Sequence, residues 1–250
     1  MEKIRVSAVS YTNTLPFIYG LQQSRIIHEI DLTLDVPSEC AYKVINGYAD
    51  LGIVPVAALL DIPHPEIISD YCLGASGAVD SVFIFSDKPI QEVNTIRLDT
   101  QSKTSNGLAR ILLHHYWKKE VIMITEGIAD AYVEIGDRTF GKKEVHPYAY
   151  DLSLYWEKLT GLPFTFAVWA ANRSLPEPFI QSFNEALAYG VNHLETVAAQ
   201  LPSRLDFDYW TYLTENIDYQ YDHVKKEALN LYLTMLKSLN DIQLRVNPVK

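Results

Sequence analysis

Cysteine is almost missing from this chain: Cys40 and Cys72 are the only two in 250 residues. They have neither metal-ligand spacing nor a redox motif, which excludes a disulfide scaffold and a cysteine metal site and leaves two buried, inert thiols as the expectation. Runs of positive charge are missing too. Nothing longer than Lys142-Lys143 or Lys225-Lys226 occurs, and 31 acidic against 21 basic side chains give a net charge of -10. An acidic surface of that kind repels phosphate backbones, so no nucleic-acid partner is expected. No apolar stretch reaches the roughly 18 residues of a membrane span, so no membrane partner is expected either. Met1-Glu2-Lys3-Ile4-Arg5-Val6 passes directly into a strand-like pattern without an apolar signal region, which points to a cytoplasmic protein. G-x-S-x-G, H-E-x-x-H and a glycine-rich phosphate loop are all lacking, so a familiar triad or metal hydrolase is excluded and no metal site is expected.

What is there is an ordinary globular composition, 48% hydrophobic and 21% charged, long enough to bury a core without disulfides or metal. Strand-like and helix-like segments alternate, predicting an α/β fold with mostly parallel sheets. Strands are predicted over Ile4–Ser10, Ile30–Val36 and Leu51–Val56, with a helix opening at Pro37-Ser38 and ended by Gly47. The second half repeats the order. Thr95–Asp99 is a strand, Thr104-Ser105-Asn106 opens a helix carrying Leu108, Ile111, Leu112 and Tyr116, and Val121–Ile124 and Ala131–Ile135 are strands. Asn46-Gly47-Tyr48-Ala49-Asp50-Leu51 is echoed 80 residues later by Glu126-Gly127-Ile128-Ala129-Asp130-Ala131, which suggests two lobes built on one plan.

Two apolar runs, Ser81–Ser86 and Thr165–Ala171, are placed to cross between those lobes. The expected division is residues 1–84 with 174–250 in the first lobe and 85–173 in the second, joined by two hinge strands with a ligand cleft between them. An amphipathic stretch from Phe179 to Leu201, and a final helix with Ala228, Leu231, Met235 and Leu239 on one stripe, are expected to cover the first lobe.

Ligands of open α/β sheets bind beyond the carboxyl ends of the strands, where helix N-termini present free N–H groups. Three polar clusters occupy such positions: Ser10-Tyr11-Thr12-Asn13-Thr14, Ser38, and Gln101-Ser102-Lys103-Thr104-Ser105-Asn106. Ser38 reads foremost as a helix cap, and Asn13 or Thr14 also suits one. The third cluster has more small hydroxyl and amide groups than one cap needs. His114-His115 reads as a surface pair rather than a metal site. Asp137-Arg138 reads either as an ion pair or as a carboxylate placed at the cleft.

The strings Ser10-Tyr11-Thr12-Asn13-Thr14-Leu15-Pro16-Phe17, Val79-Asp80-Ser81-Val82, Thr104-Ser105-Asn106, Ile135-Gly136-Asp137-Arg138, Asp151-Leu152 through Trp156, and Thr160-Gly161-Leu162-Pro163-Phe164 together resemble the chorismate dehydratases of the futalosine route to menaquinone. The resemblance covers residues 4 to about 172. It implies the type II periplasmic-binding-protein fold and a reaction that removes water from chorismate, a small dicarboxylate, to give 3-[(1-carboxyvinyl)oxy]benzoate. No cofactor is implied, because the aromatic product supplies the driving force. Asn13 and Ser81 are implied as the catalytic residues. Substrate contacts are expected from Ser10, Tyr11, Thr14, Ser38, Ser102, Thr104, Ser105, Asn106, Gly136 and Asp137. The proton acceptor is expected to be the substrate's own enolpyruvyl carboxylate, Asp137 being the only acidic candidate in the matched strings. One position departs from the family pattern, Thr12 standing where an apolar residue is expected. Other readings are the related 1,4-dihydroxy-6-naphthoate synthase, which would carry a histidine base near Gly136-Asp137, and a small-anion-binding or ligand-sensing protein without catalysis. A monomer or homodimer is expected.

Overall fold

The computed structural model describes residues 3–246, with side chains through 239. The first lobe begins with β1 (Ile4–Val9), α1 (Leu15–Gln23), β2 (Ile30–Asp35), α2 (Pro37–Ile45), β3 (Leu51–Pro55) and β4 (Glu66–Ala75). The second holds β5 (Val82–Ser86), β6 (Thr95–Arg97), α3 (Lys103–His115), β7 (Ile122–Ile124), β8 (Ala131–Ile135), β9 (Tyr148–Asp151) and α4 (Leu152–Thr160). The chain then returns through β10 (Phe164–Ala171), α5 (Glu177–Val191), α6 (Leu194–Ala199), the short α7 (Tyr209–Thr211), a π-helical turn (Tyr212–Asn216), β11 (Asp218–Gln220) and α8 (His223–Val246).

The strand orders are β11-β4-β10-β3-β1-β2 and β7-β6-β8-β5-β9. Each sheet contains a parallel triplet, β2-β1-β3 or β7-β6-β8. Beside each triplet lies an antiparallel strand, β10 against β3 and β5 against β8. The sheets are therefore mixed rather than mostly parallel, because the strand that arrives from the other lobe enters its sheet from the opposite end.

The sequence echo has a structural basis. Gly47 and Gly127 both adopt positive φ, 73° and 93°, which glycine tolerates without Cβ strain. Asp50, just before β3, accepts the Arg5 N–H at the start of β1 at 3.0 Å. Asp130, just before β8, accepts the Asn94 and Thr95 N–H groups at the start of β6 at 2.8 and 3.1 Å. In both lobes a carboxylate at the base of one strand satisfies the leading backbone donors of its neighbour.

Sheet membership puts all of Val82–Ser86 in the second lobe and all of Phe164–Ala171 in the first. The chain thus changes sheets within 76–81 and 161–163. Both apolar runs are so hydrophobic because they are interior strands buried on both faces, not exposed hinges.

α5 lies against α1 at a glycine crossing. A Cβ on Gly190 would stand 1.8 Å from the Pro16 carbonyl oxygen, and one on Gly20 would stand 2.0 Å from that of Ala186. α8 corrects the expected stripe: Ala228, Tyr232, Leu236 and Leu239 are buried, whereas Leu231 is 36% exposed. It also reaches the second lobe, where the Tyr232 hydroxyl donates to the Thr104 carbonyl of α3 at 2.9 Å. Cys40 and Cys72 are free and buried, and burial pushes the Cys40 thiol up to about 12.

Candidate active site

The cleft lies where the carboxyl ends of β1 and β8 face each other. Beyond β1 the chain makes a 3-10 turn over Thr12–Thr14 before entering α1, and Pro16 occupies the first turn of that helix, where its missing N–H costs nothing. This turn carries Asn13. The Thr14 hydroxyl, fully buried, donates to Asn13 Oδ1 at 3.2 Å and leaves the Asn13 NH2 group to the cleft.

From the second lobe, Ser81 leads into β5 and is held by its carbonyl, which accepts the Gly136 N–H at 2.8 Å. Its side chain is 1% exposed. Gly136, at the end of β8, has φ 64°, and a Cβ there would stand 2.5 Å from the Tyr11 ring. Only glycine lets Tyr11 of the first lobe lie flat over this turn. At the N-terminus of α3, Ser102 is the cap: its Oγ accepts the Ser105 N–H at 3.1 Å and donates to Ser105 Oγ at 3.0 Å.

Tyr11, Asn13, Ser81, Ser102, Ser105 and Gly136 line one cleft, together with apolar walls from Val9, Pro55, Val79, Phe166 and Ile217. Its volume is ≈ 540 Å³ when the solvent at its mouth is included, of which ≈ 50 Å³ admits the centre of a water molecule. No lining side chain is an acid, a base or a histidine.

The other expected contacts lie elsewhere. Ser38 does not cap α2, whose cap position is Val36, and it faces a neighbouring cavity lined also by Gln101, Lys103 and Asn106. The Thr104 hydroxyl is turned to the first lobe, accepting the Ala57 N–H at 3.1 Å. Asn106 is spent on the turn before α3, accepting from Asp99 N–H at 2.9 Å and donating to the Asp99 carbonyl at 2.7 Å. Ser10 contributes its N–H to the Asp35 carbonyl, joining β1 to β2. Thr14 acts on Asn13 rather than on the cleft.

Asp137 is a brace between lobes. Its carboxylate accepts the Thr12 N–H at 3.0 Å and the Thr12 hydroxyl at 3.0 Å, so the unexpected Thr12 uses its hydroxyl here. Burial raises the Asp137 pKa although those bonds oppose it. Arg138 does not pair with Asp137; it grips Asp99 at 2.7 Å. The clearest residue missed from sequence is Tyr212, in the π-helical turn. It is 1% exposed, its hydroxyl donates to Ser81 Oγ at 2.9 Å, and the Asn13 side chain reaches the same phenol oxygen. As one of 16 tyrosines in a region with no shared motif, it carried no sequence signal.

Two α/β lobes, each with the same triplet order, and an uncharged cleft between them define the class: a periplasmic-binding-protein-like fold. Solved structures agree. Protein AF1704 from Archaeoglobus fulgidus superposes with a TM-score of 0.73 at 14% identity, covering 95% of this chain and 98% of its own. The CA3427 gene product of Candida albicans, described as having the generic periplasmic binding protein fold, gives 0.62 at 12% identity over 96% and 95%. The aliphatic sulphonate binding protein SsuA of Escherichia coli gives 0.59 at 13% identity over 98% and 94%.

Residues 4–238 match the model of the menaquinone biosynthesis family, and the chain belongs to that family. A curated relative, the chorismate dehydratase of Thermus thermophilus, is 28% identical over 229 residues, covering 78% of this chain and 80% of its own.

Proposed function

We propose that this protein is a chorismate dehydratase, a carbon–oxygen lyase that converts chorismate to 3-[(1-carboxyvinyl)oxy]benzoate and water. The observation that carries the reading is that Asn13 and Ser81, from opposite lobes, line one cleft without charged side chains, with the buried Tyr212 phenol bonded to Ser81 behind it. The named relative supports the same reaction.

In this reading Asn13 holds the ring hydroxyl or the developing anion with its NH2 group, and Ser81 donates to the departing oxygen. One substrate carboxylate lies at the N-terminus of α3, where free N–H groups and the helix dipole stabilise negative charge without a cationic side chain. The proton on the ring carbon bearing the ether passes to the substrate's enolpyruvyl carboxylate. Its C–H electron pair becomes a ring double bond, the neighbouring C–O bond breaks, and the hydroxyl leaves as water once it regains a proton. Asp137 takes no part as base here, since both its oxygens are engaged by Thr12. Fixing the eliminating conformer and aiming donors at the leaving group provide the acceleration.

Purified protein incubated with chorismate is expected to release the aromatic enolpyruvyl ether, followed by liquid chromatography. Asn13→Ala and Ser81→Ala are each expected to lower kcat by roughly 100-fold or more, the scale of losing one directed donor. Unchanged chorismate after prolonged incubation, with binding retained, would favour the anion-binding reading.

A further inference from the structure

Tyr212 belongs to neither of the motifs that carry Asn13 and Ser81. It sits 131 residues from Ser81, in a five-residue π-helical turn. Such widened turns are unusual and concentrate at functional sites, because they redirect one side chain out of the helical register. Tyr212 is the first residue of this turn. Its ring packs edge-on against Phe140 and Phe207, both at 5.2 Å between centroids, and these rings exclude water from the hydroxyl. Burial raises its pKa well above the ordinary range, so the phenol stays protonated and a donor at every physiological pH.

We propose that Tyr212 is a positioning residue that, by donating to Ser81 Oγ, turns the Ser81 hydroxyl hydrogen into the cleft as the donor to the leaving oxygen; this rests on the dehydratase reading above. A serine hydroxyl has one hydrogen and two acceptor lone pairs, and its hydrogen rotates to whichever acceptor is present. With Tyr212 donating at 2.9 Å, the Ser81 oxygen is already supplied with a proton on that side. Among the described residues no protein group accepts the Ser81 hydrogen; Ser81 Oγ is itself the acceptor in its bond with Tyr212. Asn13 acts on the same phenol as a donor, lowering its pKa against the effect of burial, and so leaves the phenol hydrogen to Ser81. A role confined to filling space would be met equally by phenylalanine.

The test uses the full chain. Tyr212→Phe removes only the hydroxyl and is expected to lower kcat with chorismate roughly 10- to 100-fold while KM moves by less than about three-fold, as for other outer partners of a reacting group. Because Tyr212 acts through Ser81, the double variant Tyr212→Phe with Ser81→Ala is expected to be no slower than Ser81→Ala alone. Placing 4-aminophenylalanine at position 212 restores a donor and is expected to recover most of the lost kcat. If Tyr212→Phe fails to fold, the 4-aminophenylalanine protein decides: near-wild-type kcat supports the proposal, and loss of turnover in a folded protein overturns it. Wild-type kcat in Tyr212→Phe, or losses that multiply with Ser81→Ala, overturn it as well. A wild-type protein inert toward chorismate defeats the dehydratase reading itself, and the proposal with it.

Discussion

Asp151 shows how one buried carboxylate ties a helix to the site. It caps α4 through the Ser153 and Leu154 N–H groups at 3.0 and 3.1 Å and also accepts the Asp80 N–H at 2.7 Å, immediately before Ser81. Burial raises its pKa to about 6, against 3.8 for the unperturbed group. The folded state therefore binds this proton more tightly than the unfolded chain. Its stabilising contribution is complete below about pH 4 and is lost as pH rises through 6. Asp35, Asp50 and Asp130 act with the opposite sign, their pKa values being lowered in the fold, and their contribution is lost as pH falls below 4. Comparing thermal melts of wild type and Asp151→Asn from pH 4 to 7 is expected to show wild type losing ground relative to the variant between 4 and 6. At this scale Asn13, Ser81 and Gly136, singled out by their strings, line one cleft. Ser38, Thr104 and Asn106 lie outside that cleft, and a small polar residue near a helix start serves a cap, a turn or a ligand equally well.

α1 and α5 meet through Gly20 and Gly190, and α1 follows directly on Asn13-Thr14. Gly190→Ala would drive a methyl group into the Pro16 carbonyl, forcing the helices apart. A cost of about 2 kcal/mol is expected, seen as a fall in Tm of roughly 4–8 °C. Because Asn13 lies in the turn that leads into the displaced helix, turnover is expected to fall further than the remaining folded fraction explains. The periodicity of α5 was readable in the sequence, but its partner was not, since a glycine contact leaves no hydrophobic pattern. α8 was misjudged for a related reason. Its buried stripe runs through Ala228, Tyr232, Leu236 and Leu239 rather than through Leu231 and Met235, because Tyr232 turns inward to reach the Thr104 carbonyl of the other lobe.

As a whole the molecule is closed: Thr12 holds Asp137, Ala57 holds Thr104, and Asp61 meets Lys103 at 2.9 Å between the lobes. With so little of the cleft open to even a water molecule, a dicarboxylate enters only after the lobes part. Asp61→Cys with Lys103→Cys, joined by a bis-methanethiosulfonate linker, is expected to abolish turnover until reductant releases it, as followed by product chromatography. Cys40 and Cys72 are buried and should leave the assay undisturbed. If the linked protein turned over at the wild-type rate, lobe opening would not be required.

The chain alone determined the α/β alternation, the two-lobed plan and the polar strings, because these are written in local periodicity and contiguous residues. The paired roles of Asp50 and Asp130 were visible there as an echo. Only the tertiary structure decided the mixed sheets, the segments in which the chain changes sheets and the place of Tyr212. Strand direction depends on the side from which the chain re-enters a sheet, and a buried hydroxyl gains meaning only from a partner 131 residues away, a relation that no local pattern records.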